Sequence, residues 1–290
     1  MVKKQQPSIN VKGVQVSDPF WSKVQTLVRE VVIPFQKQVL EDAVPGVEKS
    51  HAVENFRIAA GEQTGEFYGF VFQDSDVAKW LEAVAYSLAL HPDEKLEKEA
   101  LDLIALVGRA QEPDGYLDTY FTVKEPDHKW QDLQECHELY CAGHMLEAAV
   151  AWAEAAGRTE LLDIMKKNAD LICSLFGKDK RRGYPGHEEI EMALIRLYRL
   201  TGEKKYRKPQ AISSRSAARN RATSRKKPKT AAGHTSGMNP GRSRVPAGSR
   251  PREEAGQGRR SRRARRLPLH RDGGLRLRDG RRGNVRRLQE

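Results

Sequence analysis

Apolar residues recur at helical spacing along most of positions 1–206 of the chain. Asp18-Pro19 is typical of a helix start, since Asp caps free N–H groups and Pro suits the first turn. Pro34 predicts a kink in the helix that follows. An alternating run over Val11–Val16 predicts one short strand. The same periodicity predicts a short helix between residues 50 and 73 and five longer ones, over residues 75–88, 96–110, 135–156, 161–176 and 188–200.

The helices repeat as hairpins with long loops at one end. In each unit a helix ends in a tight turn, a second helix returns, and a loop containing Gly-Tyr follows. The turns and loops are His91-Pro92-Asp93, Gly115-Tyr116, Ala156-Gly157-Arg158, Gly183-Tyr184 and Thr201-Gly202-Glu203. Such hairpins predict a solenoid or a toroid of helices. A toroid gathers its loops at one mouth, which is a natural ligand site.

The stretch from Glu135 to His144 concentrates polar chemistry just before an alanine-rich helix. His137 and His144 are seven positions apart, which predicts a shared helical face about two turns apart. Glu138 and Tyr140 are predicted to point elsewhere. A polar cluster at a helix start can hold a ligand, because free N–H groups and side chains face a cavity there. The alternative is that these residues only complete the helix start.

Charge divides the chain into two parts. Residues 207–290 hold 26 Lys and Arg against 5 Asp and Glu, a balance of +21. The whole chain has 51 Lys and Arg and 39 Asp and Glu. Residues 1–206 therefore hold 25 basic and 34 acidic residues, a balance of −9. All aromatic residues lie in the first part, so only that part has the composition to bury a core.

The three cysteines are odd in number and lack paired metal-ligand spacing, which favours a reducing compartment. No apolar run follows the first residues, so no signal peptide is predicted. No segment reaches the roughly 18 apolar residues of a membrane span. A cytoplasmic protein without membrane partners is therefore expected.

Five motifs occur in order along the first part of the chain. They are Ser50-His51-Ala52-Val53, Phe72-Gln73-Asp74-Ser75-Asp76-Val77, Gly115-Tyr116-Leu117-Asp118-Thr119, His137-Glu138-Leu139-Tyr140 with Gly143-His144, and Gly186-His187-Glu188-Glu189-Ile190-Glu191-Met192-Ala193-Leu194. Together they resemble the N-terminal half of glycoside hydrolase family 127, the β-L-arabinofuranosidases, over residues 10–206. The resemblance implies an (α/α)6 barrel followed by β-sandwich domains, and retaining hydrolysis of terminal β-L-arabinofuranosides.

The resemblance also implies which side chains contact the sugar. His137 and His187 stand at the motif positions whose histidines contact the sugar in the family, and neutral imidazoles both donate to and accept from hydroxyl groups. Ligand contact is therefore predicted for both. Gln73 and Asp74 are further candidates at the mouth of the toroid, with a purely structural role as the equal alternative. Three glutamates are expected to start and line their helix rather than act as catalysts: Glu188, Glu189 and Glu191.

The catalytic groups implied by the resemblance are an acid/base glutamate and a cysteine nucleophile, held on zinc with two other cysteines and a glutamate. Zinc holds such a thiol as the thiolate. Cys136, Cys141 and Cys173 do not match those positions and are predicted to be buried helix residues. No catalytic residue, metal ligand or cofactor is therefore assigned to this chain, although the full-length family is expected to use zinc.

The Arg/Gly/Pro-rich tail over residues 207–290 has no hydrophobic periodicity and is predicted to be disordered. One interpretation is a basic tail that binds nucleic acid non-specifically. Against it, the tail begins inside a hairpin, where Thr201-Gly202 should lead into the next helix.

A frameshift is the second interpretation of the tail. Back-translated with permitted codons and read one base later, Gly258 to Gly274 gives an amphipathic helix similar to the family's next histidine motif. Arg250 to Gly258 and Arg207 to Ser216 also give family-like sequence in this frame. A forced stop codon at Gly237-Met238 shows that one clean shift does not explain the whole tail. We interpret the tail as a frameshift product whose arginines carry no selected function.

These observations predict an all-α protein, an incomplete (α/α)6 barrel over residues 1–206 with a disordered basic tail over 207–290. The expected partner is an arabinofuranoside-type carbohydrate in arabino-oligosaccharides or plant glycans, and the chain as written is expected to be inactive. The alternative is a non-catalytic protein that binds carbohydrate, or nucleic acid through its tail.

Overall fold

The computed structural model describes residues 11–177, 180, 181 and 183–207. Within these ranges the chain is helical and contains no β-strand. Two π-helical segments, Val28–Val32 and Trp152–Ala156, extend α1 and α7, and 3-10 turns lie at Val11–Gly13, Pro126–His128 and Lys204–Arg207. The α-helices are α1 (Pro19–Leu27), α2 (Ile33–Leu40), α3 (Ala52–Ala59), α4 (Asp74–Leu90), α5 (Glu94–Ala110), α6 (Thr119–Val123), α7 (Glu138–Ala151), α8 (Glu160–Leu175) and α9 (Glu189–Thr201).

Aspartate side chains start three of these helices. Oδ1 of Asp18 accepts hydrogen bonds from the backbone N–H groups of Phe20 and Trp21 at 2.8 and 2.9 Å, as the Asp-Pro pair predicted. Asp93 and Asp118 start α5 and α6, and each accepts from the backbone N–H three residues further on, at 3.0 and 3.2 Å. Each cap gives a partner to a group that the helix leaves unpaired.

Helices end at the predicted turns, but α4 does not begin at the predicted residue. Gly157 and Gly202 end their helices in the left-handed region, at φ 75° and 73°, where glycine carries no steric cost. The prediction that Ser75 or Asp76 caps α4 is wrong. Helix α4 begins at Asp74, so both residues lie inside its first turn.

One prediction near the N-terminus needs correction. The strand over Val11–Val16 is wrong, since Val11–Gly13 is a 3-10 turn followed by irregular backbone. A strand needs a neighbour for its hydrogen bonds, and the described residues provide none there. The kink at Pro34 stays a prediction. The turn before Pro34 widens into a π-helix, and the N–H of Ile33 donates to Val28 O, which accommodates the proline ring and its missing N–H.

Helix α7 forms the centre of the core. It packs between α4 and α9, and α8 covers its outer side. Twelve of its 14 residues are buried, because it meets neighbours all around. A Cβ at Gly143 would lie 2.8 Å from Cγ of Glu189, so glycine permits the close crossing with α9.

Two buried tryptophans fasten neighbouring helices of the core. Nε1 of Trp80, on α4, donates to Ile33 O of α2 at 2.9 Å. Nε1 of Trp152 donates to Leu81 O of α4 at 3.0 Å. Each indole therefore buries its ring and still satisfies its polar N–H.

The helices form two rows. The inner row is α2, α4, α7 and α9, each packed on the next, and α3, α5 and α8 pack along the outer side. This alternation confirms the predicted helical hairpins. Several large apolar residues are exposed on α1, α2 and the π-helical segment between them: Phe20, Trp21, Leu27, Val28, Val31, Val32 and Phe35.

Most of the predicted tail, residues 208–290, lies outside the described residues. Within the described part of the chain, no helix combines the length and the apolar character needed to cross a bilayer.

Candidate functional site

Three inner helices begin at the same end of the molecule. Helices α4, α7 and α9 run in the same direction because an outer helix returns the chain between them. Their N-terminal ends bring together side chains from residues 72–79, 137–144 and 187–189. Free N–H groups and the positive ends of the helix dipoles also converge there. We call this cluster the histidine site, after His137, His144 and His187.

His137 stands just outside α7, with φ 59° in the left-handed region. Its Nδ1 lies 2.5 Å from the backbone oxygen of Glu135, so Nδ1 carries the proton and donates. This bond leaves Nε2 as the ring's remaining polar atom, an acceptor in the neutral form. The predicted helical face shared by His137 and His144 is wrong, because His137 is not a helical residue.

His187 lies in the exposed loop that leads into α9. Its ring centroid is 5.2 Å from that of His137. The loop packs directly against the backbone of Gln134, because a Cβ at the preceding Gly186 would collide with the backbone oxygen of Gln134. The structure thus brings together the two histidines that the sequence predicted to contact the sugar.

Tyr140 lies at the centre of the histidine site. Its ring centroid is 5.6 Å from that of His137, 4.9 Å from His187 and 4.5 Å from His144. Nζ of Lys79 lies 3.0 Å from its hydroxyl oxygen. The prediction that Tyr140 points elsewhere is therefore wrong. Once His137 leaves the helix, a residue in the first turn of α7 can face both histidines.

His144 is a neutral imidazole at the inner wall of the site. Burial, together with the positive charge of Lys79 and the neighbouring His187, lowers the pKa of His144 to about 4. Its Nδ1 lies 3.5 Å from Oε1 of Glu189. At neutral pH this contact joins an uncharged ring to a carboxylate, so it is not an ion pair.

Gln73 and Asp74 are buried beside the site, and their polar atoms have protein partners. Nε2 of Gln73 donates to Ser50 Oγ at 3.1 Å, and its Oε1 accepts from the N–H of Phe70 at 3.2 Å. Asp74 accepts from the N–H and the hydroxyl of Thr119 at 2.7 and 2.5 Å. Their predicted contact with sugar stays a prediction.

Buried acidic residues lie next to the site. Burial raises the pKa of Asp74 to about 6 despite the hydrogen bonds from Thr119, and Asp76 adds to the rise. Burial also raises the pKa of Asp118 well above its ordinary value, with Asp74 and Glu138 adding to the rise. Two of these acids therefore hold protons more tightly than ordinary carboxyl groups.

Glu138 points away from the histidine site, as predicted. Tyr116 donates to its Oε1 at 2.7 Å, and the N–H of Trp130 lies 2.9 Å from both carboxylate oxygens. Burial raises the pKa of Glu138 to about 7, although these bonds favour the ionised form. The carboxylate anchors the start of α7 to two loops.

Arg196 fastens the inner helices below the site. Its guanidinium donates to the buried carboxylate of Glu147 on α7 and lies 3.3 Å from Oε2 of Glu154. The same group is 3.3 Å from the hydroxyl of Tyr86 and 3.8 Å from the carboxylate of Glu82, both on α4. One side chain from α9 thus holds α4 and α7.

Sequence reasoning missed Lys79 and Phe72 as members of the site. The ring centroid of Phe72 is 5.2 Å from that of His137. Lys79 interrupts the apolar run of α4, where a charged residue signals a face that is not buried in the core. Phe72 carried no comparable signal.

The cysteines do not form the zinc site that the resemblance implies for the family. Cys141 is buried in α7, and burial raises its pKa well above the ordinary value. Burial also raises the pKa of Cys136 and of Cys173 to about 11. These are protonated thiols, and no group of three or more His, Cys, Asp or Glu in the described residues could hold a metal. We therefore derive no chemical step through zinc.

The alternating inner and outer helices are those of a domain of the (α/α)6-barrel class. The chain belongs to glycoside hydrolase family 127, since the model of the β-L-arabinofuranosidase GH127 catalytic domain matches residues 13–229. This confirms the predicted family and the predicted fold class. The match continues 23 positions beyond Tyr206, and the boundary predicted there stays a prediction.

Individual relatives agree with this assignment. The non-reducing end β-L-arabinofuranosidase of Bifidobacterium longum subsp. longum is 43% identical over 67% of this chain and 32% of the relative. The crystal structure of a GH127 β-L-arabinofuranosidase from Geobacillus stearothermophilus T6 is 51% identical, with a TM-score of 0.69 over 74% of this chain and 35% of that chain. A second GH127 β-arabinofuranosidase is 39% identical, with a TM-score of 0.62 over 68% and 32%. The chain thus spans about one third of the length of these relatives.

Proposed function

We propose that this chain binds the terminal β-L-arabinofuranose unit of a glycan at the histidine site. The observation that carries the proposal is the 5.2 Å approach of the His137 and His187 rings, with Tyr140 beside both. Aromatic and imidazole groups at a helix start offer both apolar faces and hydrogen bonds, as a sugar requires. The names of the relatives support the choice of sugar.

Each polar group of the site suits a sugar hydroxyl in a different way. Nε2 of His137 accepts a hydrogen bond, because Nδ1 already donates to Glu135 O. His144 stays uncharged at neutral pH and so does not attract an anion. Lys79 donates to the hydroxyl of Tyr140, which fixes the ring that lies beside the histidines. These groups support binding of a hydroxyl-rich ligand.

Hydrolysis is a separate part of the proposal. We propose that the glycosidase to which this sequence corresponds releases terminal β-L-arabinofuranose, and that this chain contributes sugar contacts without catalytic residues. Cys136, Cys141 and Cys173 do not match the positions of the family's zinc-bound cysteines, which supports this division. Incubation of the purified full chain with 4-nitrophenyl β-L-arabinofuranoside should give no turnover. Turnover that depends on zinc and on a thiol would refute this part.

Ligand-observed NMR of the full chain tests the binding proposal. Saturation transfer to methyl β-L-arabinofuranoside should be clear, and weaker to the α-anomer. His137→Ala and His187→Ala should each abolish the signal, while the matched control His91→Ala, at an exposed turn, should keep it. Equal transfer in all four proteins would contradict the proposal.

The origin of the tail is open to a direct test. We propose, from the back-translation above, that residues 207–290 come from a frameshift. Genomic DNA resequenced from the Gly202 codon to a few hundred bases past Glu290 should restore a helical, aromatic-bearing sequence. A confirmed frame would instead leave a real basic tail. The cytoplasmic location and the non-specific binding of nucleic acid by the tail stay predictions.

A further inference from the structure

An exposed aromatic ring, that of Phe70, lies next to the histidine site on the surface. Phe70 is 51% exposed although it is large and apolar. Its ring lies parallel to that of Phe72, with an angle of 4° and a centroid distance of 5.1 Å. Phe72 in turn contacts His137, with ring centroids 5.2 Å apart. The three rings form a continuous path from the histidine site to the surface, and we call Phe70 and Phe72 the aromatic step.

The backbone of Phe70 is held in place by Gln73. The N–H of Phe70 donates to Gln73 Oε1 at 3.2 Å, and its carbonyl oxygen accepts from the N–H of Gln73 at 2.9 Å. The amide Nε2 of Gln73 is itself bound to Ser50 Oγ and, at 3.4 Å, to Asp76. An exposed ring whose backbone is anchored in this way loses little further freedom when a ligand stacks on it.

Gly69 shows that this loop is shaped closely around Gln73. Its φ is 103°, in a region that favours glycine, and a Cβ there would lie 2.7 Å from Gln73 Oε1. The tight turn brings the loop against the amide and turns the Phe70 side chain outward. Gln73, predicted from the sequence as a sugar contact, thus also has a role in holding the aromatic step.

We propose that the aromatic step binds the second sugar ring of a disaccharide or oligosaccharide, the one linked to the terminal arabinofuranose. This inference rests on the proposed function, since it needs the terminal unit to lie at His137 and His187. The faces of aromatic rings carry partial negative charge, which attracts the weakly positive C–H groups of a sugar ring. Their broad contact adds dispersion without requiring a charge on the ligand.

Paired titrations with a monosaccharide and a disaccharide test the inference on the full chain. Methyl β-L-arabinofuranoside occupies the terminal position alone, whereas β-L-arabinofuranobiose also reaches the aromatic step. The wild-type chain should bind the disaccharide about five- to tenfold more tightly, and Phe70→Ala should remove this difference while leaving monosaccharide affinity unchanged. Phe70→Trp should retain the preference. The matched control Phe20→Ala removes another exposed aromatic ring, on α1, and should behave as wild type.

The outcomes separate the inference from the proposed function. A disaccharide preference that survives Phe70→Ala, with binding that still needs His187, would overturn the aromatic step and leave the histidine site standing. Equal affinity of the wild-type chain for both sugars would overturn it as well. Absence of binding of either sugar would overturn both proposals together.

Discussion

The hydroxyl group of Tyr116 donates a hydrogen bond of 2.7 Å to Oε1 of Glu138. This bond joins the Gly-Tyr loop after α5 to the first residue of α7. The bond fixes the position of Glu138, the residue that directly follows His137. The loop motif and the helix motif, 22 positions apart in sequence, are therefore held together at the start of α7.

We expect Tyr116→Phe to lower the free energy of unfolding by about 1–3 kcal/mol, because a buried carboxylate loses a hydrogen-bond donor while the ring packing stays. Urea denaturation at neutral pH measures the change. Tyr68→Phe is the matched control, since its hydroxyl lies 3.5 Å from Glu48 in an exposed position. If the two variants lost equal stability, the Tyr116–Glu138 bond would not have the role assigned to it.

Asp74 should make stability fall as the pH rises. Its folded-state pKa, about 6, exceeds the ordinary value near 3.8, so between these values the folded chain binds more protons than the unfolded chain. The contribution of Asp74 is thus most favourable below pH 4 and is lost as the pH passes 6. Asp74→Asn removes this term.

Chemical denaturation at pH 4.5 and 7.5 measures the effect. The stability of Asp74→Asn relative to wild type should increase by about 1–3 kcal/mol between the two values. The control Asp127→Asn changes an exposed aspartate and should show no such trend. A constant difference across this pH range would rule out an elevated pKa for Asp74.

His144 should remain neutral well below pH 6. Burial comes first among the causes that lower its pKa to about 4, followed by the charge of Lys79. Lys79→Met should therefore raise the pKa of His144 without restoring the ordinary 6.5, because the burial remains. Ring resonances followed by NMR across pH 3.5–8 give the value, and Lys98→Met on α5 is an exposed control.

The lowered pKa of His144 also sets the sign of its effect on stability. Between pH 4 and 6.5 the unfolded chain binds more protons at this residue, so stability falls as the pH drops through that range. This is opposite to the trend expected from Asp74. An NMR midpoint near 6.5 in the wild-type chain would contradict the buried, neutral assignment.

Arg196→Met should lower the free energy of unfolding by about 3–5 kcal/mol, because it leaves the buried carboxylate of Glu147 without its cation. The double variant Arg196→Met, Glu147→Met should recover much of the loss. Arg199→Met, an exposed change on the same helix, should cost little. Urea denaturation of the four proteins tests whether the pair, rather than either residue alone, accounts for the effect.

The sequence by itself determined where most helices lie and to which family the chain belongs. Helix ends at Asp18, Gly157 and Gly202 depend on neighbouring residues along the chain, so local spacing is sufficient to predict them. Family motifs also identified His137 and His187 as a pair, although nothing in their spacing shows that they meet.

The tertiary structure decided what surrounds that pair. Tyr140 faces both histidines because His137 leaves α7 in a left-handed conformation, which helical spacing does not predict. Helix α4 starts at Asp74, a residue that accepts hydrogen bonds from Thr119, the first residue of α6. These arrangements depend on contacts between segments that are distant in the sequence. Such contacts contribute more free energy than the local conformational preferences from which a sequence pattern predicts structure.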